Sequence, residues 1–125
     1  MNDSYVKLVA ILKKKSGMSF SDFQDYYENK HMALAKKHVT GLQQHNFRRY
    51  LLPVSDRLDI KDRDEDVILE IWYKSHEDMM ATMNAYLDDP EISKTFAEDE
   101  ENLFDRTKIR FYVLDERHTD FTLPE

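Results

Sequence analysis

The sequence contains no cysteine, and it has only two glycines and three prolines in 125 residues. The lack of cysteine excludes disulfides, thiolate metal sites and cysteine nucleophiles. The glycines, Gly17 and Gly41, lie far apart, so there is no glycine-rich loop of the kind that cradles phosphates or dinucleotides. We therefore expect no nucleotide cofactor.

A net positive charge and long apolar runs are also missing. The formal net charge is -7, whereas nucleic-acid binders and proteins attached to anionic membranes carry basic surfaces. No apolar run approaches the roughly 18 residues of a membrane span, and polar residues follow Met1. We expect one cytoplasmic domain over residues 1–125, with a core over about 5–116, a polar tail over 117–125, and neither nucleic acid nor membrane as partner.

Four segments are rich in strand-forming residues, and helical patterns separate them. Ser19 is a good N-cap for a helix that we expect to continue to about Lys37 before Gly41. Ser75 caps a second helix, with Met79, Met83, Tyr86 and Leu87 on its inner face, and Asp89-Pro90 restarts a helix with proline at its first position. Strands are predicted over residues 5–13, 42–52, 66–73 and 108–116, and an exposed loop over 55–66.

The predicted order is β-α-β-β-α-β, the order of a ferredoxin-like α+β sandwich with a four-stranded antiparallel sheet and helices on one face. Large apolar residues alternate onto both faces of the last two strands, as in DVILEIWY and KIRFYVLDE. Helices can cover only one of these faces, and exposed apolar surfaces of this size favour association. The sequence therefore predicts a homodimer.

His31 interrupts the apolar stripe of the first helix. On a helical wheel it lies near the middle of an arc formed by Phe20, Phe23, Tyr27 and Leu34. A buried imidazole is either hydrogen-bonded as part of the core or used in chemistry. If it is catalytic, it can remove a proton next to a carbonyl or from a phenol and return it to a leaving hydroxyl.

Asp99 and Tyr27 are the candidates that could act with His31. Asp99 shares a helical stripe with Ile92, Phe96 and Leu103. It is either at an exposed helix end or the carboxylate that orients His31. Tyr27, one turn before His31, is either core or a proton donor to a substrate carbonyl.

A second set of side chains could contact an aromatic substrate, although at helical or strand spacing such residues also form plain core. In the second strand, one arginine is expected to pair with Glu70, and the other could hold a substrate anion. The charged run over residues 98–101 is interpreted as a solvated face, and the five histidines show no metal-binding spacing. The predicted substrate-binding residues are Phe23, His45, Arg49, Tyr50, Trp72 and Phe96.

Residues 17–31 resemble the first-helix signature of the EthD domain, a glycine-to-histidine pattern that ends here on His31. Residues 88–91 and 98–106 resemble its second signature, residues 113–116 its closing strand, and Arg48-Arg49-Tyr50-Leu51 the fungal-type dehydratase branch. The resemblance runs over about residues 5–116.

The resemblance implies a dimeric α+β barrel in which two ferredoxin-like sheets face each other. Its relatives include polyketide cyclases, tailoring dehydratases, decarboxylases and accessory proteins of degradation pathways, and they typically need neither metal nor organic cofactor. We therefore expect a lyase or cyclase for a hydroxylated aromatic or polyketide-type small molecule, with His31, Asp99 and Tyr27 as catalytic residues. The alternatives are a non-catalytic ligand-binding or accessory protein and, less well supported, a monooxygenase on the same barrel.

Overall fold

A computed structural model describes residues 4–39, 41–58 and 63–122. Part of the predicted loop over 55–66, the first three residues and the end of the predicted tail lie outside these ranges. The strands are β1 (Val6–Leu12), β2 (Gln43–Tyr50), β3 (Val67–Tyr73) and β4 (Arg110–Val113). The helices are α1 (Phe20–Tyr26), α2 (Met32–His38), α3 (His76–Asp88) and α4 (Pro90–Glu101).

The four strands form one antiparallel sheet in the order β2-β3-β1-β4. The predicted ferredoxin-like α+β architecture is confirmed, and within its sheet the first strand lies between the third and the fourth. Leu8 pairs with Ile71 on one face, whereas Val9 pairs with Glu70 and Tyr112 on the other. Because side chains alternate along a strand, one face carries Leu8, Ala10 and Leu12 toward the helices.

The structure differs from the prediction within the first helix. Residues Tyr27–His31 form a π-helical turn between α1 and α2, and the Met32 amide donates to the Tyr27 carbonyl. A π turn holds one more residue than an α turn and therefore shifts the phase of everything after it. The predicted inner stripe continued to Leu34, but it is Met32, five residues after Tyr27, that packs against the core.

Phe23, Tyr27, Leu103 and Phe104 are the centre of the core and are at most 4% exposed. Leu103, which was predicted on the face of the last helix, lies in the turn just after α4. Its carbonyl accepts a hydrogen bond from the Lys15 amide. This bond ties the turn after α4 to the segment that follows β1. In the described part of the chain, no helix has the length and apolar character needed to cross a membrane.

The helix starts follow the predicted capping chemistry. The Ser19 and Ser75 hydroxyls accept hydrogen bonds at 3.0 Å from the Asp22 and Asp78 amides, and Asp89 caps α4, in which Pro90 is the first residue. The Ser19 cap fixes where the helix that carries His31 begins. Side-chain caps of this type satisfy amides that would otherwise lack an intrahelical partner.

Replacing Ser19 with alanine should lower the free energy of unfolding by about 1 kcal/mol, because the capping hydrogen bond is lost. Ser21, exposed in the first turn of the same helix, provides the control, and Ser21→Ala should change stability by less than about 0.5 kcal/mol. Urea unfolding followed by circular dichroism measures both. Equal losses in the two variants would contradict the capping role of Ser19.

Candidate active site

A cavity of about 660 Å³ lies between the helix-side face of the sheet and the helices. Ligand sites for small molecules typically measure about 300–1,000 Å³. Leu87 and Phe111 line it although they are 64% and 59% exposed, so the cavity is open to solvent. Its walls are mainly apolar, with contributions from Leu8, Ala10, Leu12, Val39, Leu69, Ile71, Met83, Phe104 and Ile109.

His31 lies on the cavity wall and is held there by Asp99. The Nδ1 atom of His31 is 2.6 Å from Oδ2 of Asp99, and the two side chains are only 12% and 15% exposed. The second carboxylate oxygen, Oδ1, accepts a hydrogen bond from the Tyr26 hydroxyl at 2.6 Å. The structure thus brings together the two residues that the sequence proposed as a pair, and it adds Tyr26.

The imidazole plane is fixed by edge-to-face aromatic contacts. The ring of His31 lies 5.2 Å from that of Tyr27, 5.8 Å from that of Phe104 and 6.0 Å from that of Phe96. Because a carboxylate only accepts hydrogen bonds, Nδ1 carries the proton in this contact. In the neutral ring, Nε2 is then the basic nitrogen available to a molecule in the cavity.

The Tyr27 hydroxyl is the second notable polar group. Tyr27 lines the cavity and is 1% exposed, and among the described residues its hydroxyl has no hydrogen-bond partner. Burial, and to a lesser degree the neighbouring Tyr50, raises the pKa of Tyr27 well above its ordinary value. The group therefore remains a phenol at neutral pH.

Glu100 is a cavity residue that the sequence interpretation missed. We expected a solvated face over residues 98–101, apart from Asp99 as a partner of His31, but Glu100 also lines the cavity. Burial is the main cause that raises the pKa of Glu100, and the nearby Arg106 acts in the opposite direction. A signal for this position existed, because Glu100 lies four residues after the buried Phe96 and hence on the same helix face.

The predicted substrate-binding residues lie outside the cavity wall as the structure describes it. Phe23 is fully buried in the core, and Phe96 packs behind His31. The Tyr50 hydroxyl donates to Glu28 at 2.6 Å, beside a bidentate contact from Arg48 to the same carboxylate, and so ties β2 to the π turn. The Arg48 hydrogen bond keeps the pKa of Glu28 below its usual value.

His45, Arg49 and Trp72 lie on the opposite sheet face, because they alternate with the cavity-facing residues of their strands. Arg49 pairs there with Glu70 at 3.1 Å, the ion pair expected for one of the two arginines. Among the described residues, no group of three or more histidine, aspartate or glutamate side chains is arranged to hold a metal ion.

The adjacent tyrosines at the site offer a matched stability test. Tyr26→Phe removes a hydrogen bond to the Asp99 carboxylate and should lower the free energy of unfolding by about 2 kcal/mol. Tyr27→Phe removes no such bond and relieves a buried, unpartnered hydroxyl, so stability should stay unchanged or rise by up to about 1 kcal/mol. Urea unfolding measures both. A larger loss for Tyr27→Phe than for Tyr26→Phe would contradict this geometry.

Comparisons with known proteins agree with this architecture. An EthD family protein of Bacillus halodurans is 19% identical, with a TM-score of 0.62 over 91% of this chain and 100% of that one. An EthD-like protein of Ralstonia eutropha is 16% identical, with a TM-score of 0.59 over 90% of each chain. SnoaB of Streptomyces nogalater, a cofactor-independent oxygenase, is 14% identical, with a TM-score of 0.51 over 97% of this chain and 98% of that one.

Likenesses at these identities show a shared fold. No curated protein sequence matches the chain. The EthD domain model matches residues 15–107, well over half of the sequence. The chain therefore belongs to the EthD domain family.

Proposed function

We propose that this protein is a lyase or cyclase that acts on a hydroxylated aromatic or polyketide-type small molecule by acid–base chemistry of its own side chains. One observation carries the proposal: a histidine on the wall of an apolar cavity, with Nδ1 held by a partly buried carboxylate. This is the arrangement by which an imidazole is kept in one tautomer with its other nitrogen directed at a substrate.

In the proposed mechanism, the Nε2 atom of His31 removes a proton from the carbon next to a substrate carbonyl. The imidazolium that forms is stabilised by Asp99, which is already in contact with Nδ1. Tyr27 donates a hydrogen bond to the carbonyl oxygen, on which negative charge develops. A positioned base of this kind contributes roughly 10²- to 10⁴-fold to a rate.

The apolar walls favour a flat aromatic substrate. Leu8, Leu69, Ile71 and Ile109 form an extended hydrophobic surface on the sheet side of the cavity. Such a surface binds apolar rings and leaves orientation to the few polar groups of the cavity. This supports an aromatic or polycyclic ligand more than a small charged metabolite.

A monooxygenase is a second candidate, and the similarity to SnoaB favours it, because that protein is a cofactor-independent oxygenase. The first step, removal of a proton by His31, would be common to both reactions. The fate of the carbanion distinguishes them, since a lyase releases water or carbon dioxide and an oxygenase adds oxygen. The product mass therefore decides between the two.

The proton-removal step can be measured separately. With α-tetralone in deuterated buffer, wild-type protein should catalyse exchange of the protons next to the carbonyl, and His31→Asn should lose at least about 10²-fold of this rate. His76→Asn is the matched control, because His76 is exposed at the start of α3, and it should exchange like wild type. Nuclear magnetic resonance and mass spectrometry follow the exchange.

Exchange at equal rates in wild type and His31→Asn would contradict the assignment of His31 as the base. Binding of α-tetralone, measured by calorimetry, without exchange in either protein would instead support the non-catalytic ligand-binding alternative. Adding hydroxylated naphthalenes and anthrones under air, with product masses recorded, tests oxygen addition against loss of water or carbon dioxide.

We also propose that the chain forms a homodimer through the sheet face opposite the cavity, which we term the open face. Tyr5, His45, Phe47 and Trp72 form an aromatic cluster there, with ring centroids 5.0–5.9 Å apart. Glu70, the carboxylate beneath them, accepts hydrogen bonds from Arg49 and Trp72. Although burial raises the pKa of Glu70, these bonds bring it below the usual value.

A paired charge within an aromatic cluster suits a surface that becomes buried against another protein. Tyr112 extends this face onto β4 and is 52% exposed, so its replacement should leave the fold of a single chain intact. Coverage by a second copy is also the arrangement that the family resemblance implies.

Tyr112→Asp should shift the protein toward the monomer, because it would place an unpaired carboxylate inside the interface. Multi-angle light scattering across a dilution series measures the effect. Val54→Asp, at a position that is 86% exposed in the loop after β2, is the control and should remain dimeric. A wild-type chain that is monomeric at all concentrations would overturn the dimer proposal.

A further inference from the structure

Glu100 points into the same cavity as His31 but has a different environment from its neighbour Asp99. Successive residues of an α-helix are about 100° apart, so at the end of α4 one carboxylate is directed to His31 and the next to the cavity. The Glu100 side chain is 22% exposed. The two adjacent acids therefore meet different partners.

The Glu100 carboxyl group has no hydrogen bond to any of the described residues. Arg106, from the 3₁₀ turn that follows α4, approaches it with Nε at 3.5 Å from Oε1 but donates its hydrogen bond to Glu101. The ionisable groups that face Glu100 are Tyr27 and His31 of the π turn, Tyr86 of α3, Asp99 and Glu101 of α4, and Arg106. Burial is the largest effect on Glu100 and raises its pKa, which favours the acid form.

We propose that Glu100 is the general acid that protonates a leaving hydroxyl group, which makes dehydration of a β-hydroxy ketone the reaction of this site. The inference rests on the proposed function, in which His31 is the base. It identifies the substrate class as a ring ketone that carries a hydroxyl group one carbon beyond the acidic carbon. Loss of water from such a ring produces a conjugated ketone or, after enolisation, a phenol.

The reaction balances with these groups alone. His31 takes the proton from the carbon next to the carbonyl, and the electron pair becomes the enolate that Tyr27 holds. When the enolate collapses, a carbon–carbon double bond forms, the carbon–hydroxyl bond breaks, and the Glu100 proton leaves with the hydroxyl as water. His31 is then protonated and Glu100 is ionised, and transfer of the proton from one to the other restores the starting state.

Arg106 has a defined part in this step. It lines the cavity beside Glu100, and its guanidinium favours the carboxylate that is formed when Glu100 gives up its proton. Burial thus favours the neutral acid before the proton transfer, whereas Arg106 favours the carboxylate that the transfer produces. A carboxyl group balanced in this way can donate a proton and recover it within one turnover.

The test compares Glu100→Gln with wild type on two β-substituted tetralones that differ only in the leaving group, hydroxyl or acetate. Hydroxide needs a proton to leave, whereas acetate leaves as a stable anion. In Glu100→Gln, kcat for the hydroxy ketone should therefore fall at least about 10²-fold further than kcat for the acetoxy ketone. Product formation is followed by absorbance and mass.

Glu98→Gln is the matched control, because Glu98 lies on the same helix with its side chain 69% exposed, and it should resemble wild type on both substrates. If Glu100→Gln unfolds, Glu100→Asp takes its place in the test. This variant retains a carboxyl group, so the ratio of its rates on the hydroxy and acetoxy ketones should stay close to the wild-type ratio. Equal losses on hydroxyl and acetate, or no loss on either, would overturn the assignment of Glu100.

The same measurements separate this inference from the proposed function. Wild-type protein that exchanges α-protons but eliminates neither group would contradict the dehydration and leave His31 as a base. Wild-type protein that catalyses neither exchange nor elimination would overturn both proposals.

Discussion

The contact between Asp99 and His31 is the interaction on which the site depends. It joins the last turn of α4 to the π turn of the first helical segment across an aromatic environment of Tyr27, Phe96 and Phe104. In such surroundings a hydrogen bond to a carboxylate is stronger than in water, and leaving either partner alone would be costly. The contact therefore fixes the imidazole position and its tautomer together.

The π turn is the backbone feature that lets this contact coexist with a filled core. Tyr27 begins the turn and His31 ends it, and both line the cavity, while Met32 resumes the packing against the core. In an uninterrupted α-helix, the side chains after Tyr27 would continue the regular angular spacing of those before it. Single π turns often lie at functional sites. Here the extra residue lies in the turn that ends at His31, and His31 lines the cavity.

The fold could be predicted from the sequence because its signals are local. Alternating strands and the caps at Ser19, Ser75 and Asp89 set the element order, and that order sets the sheet topology. The π turn could not be predicted, since helical wheels assume a constant angle between residues.

The site was predictable to the extent that it rests on one helical face. His31, Tyr27 and Asp99 interrupt apolar stripes, and such interruptions are visible in the sequence. The residues assigned to substrate binding were chosen for aromatic or cationic character, which does not show which side of a sheet has the cavity. Glu100 was missed for a related reason. A run of acidic residues looks solvated in the sequence until other segments of the folded chain bury part of it.

The two faces of the sheet differ in how their polar groups are satisfied, and this difference indicates what each face is for. On the open face, Glu70 is hydrogen-bonded by Arg49 and Trp72, and Lys7 lies 3.9 Å above the Trp72 ring. Those groups are already paired, and this pairing lowers the cost of covering them with another protein surface. On the cavity side, the Tyr27 hydroxyl has no hydrogen-bond partner among the described residues, and Glu100 has an ion pair with Arg106 at 3.5 Å.

Native proteins pair nearly all of their buried polar groups, and exceptions need a reason. In the proposed dehydration, a ligand with two oxygens would supply that reason for Tyr27 and would meet Glu100 with its second oxygen, with the acidic carbon on the side of His31. A β-hydroxy ketone has its oxygens in this relation. The hydrogen-bonding needs of these side chains and the proposed proton transfers therefore fit one and the same proposed substrate class.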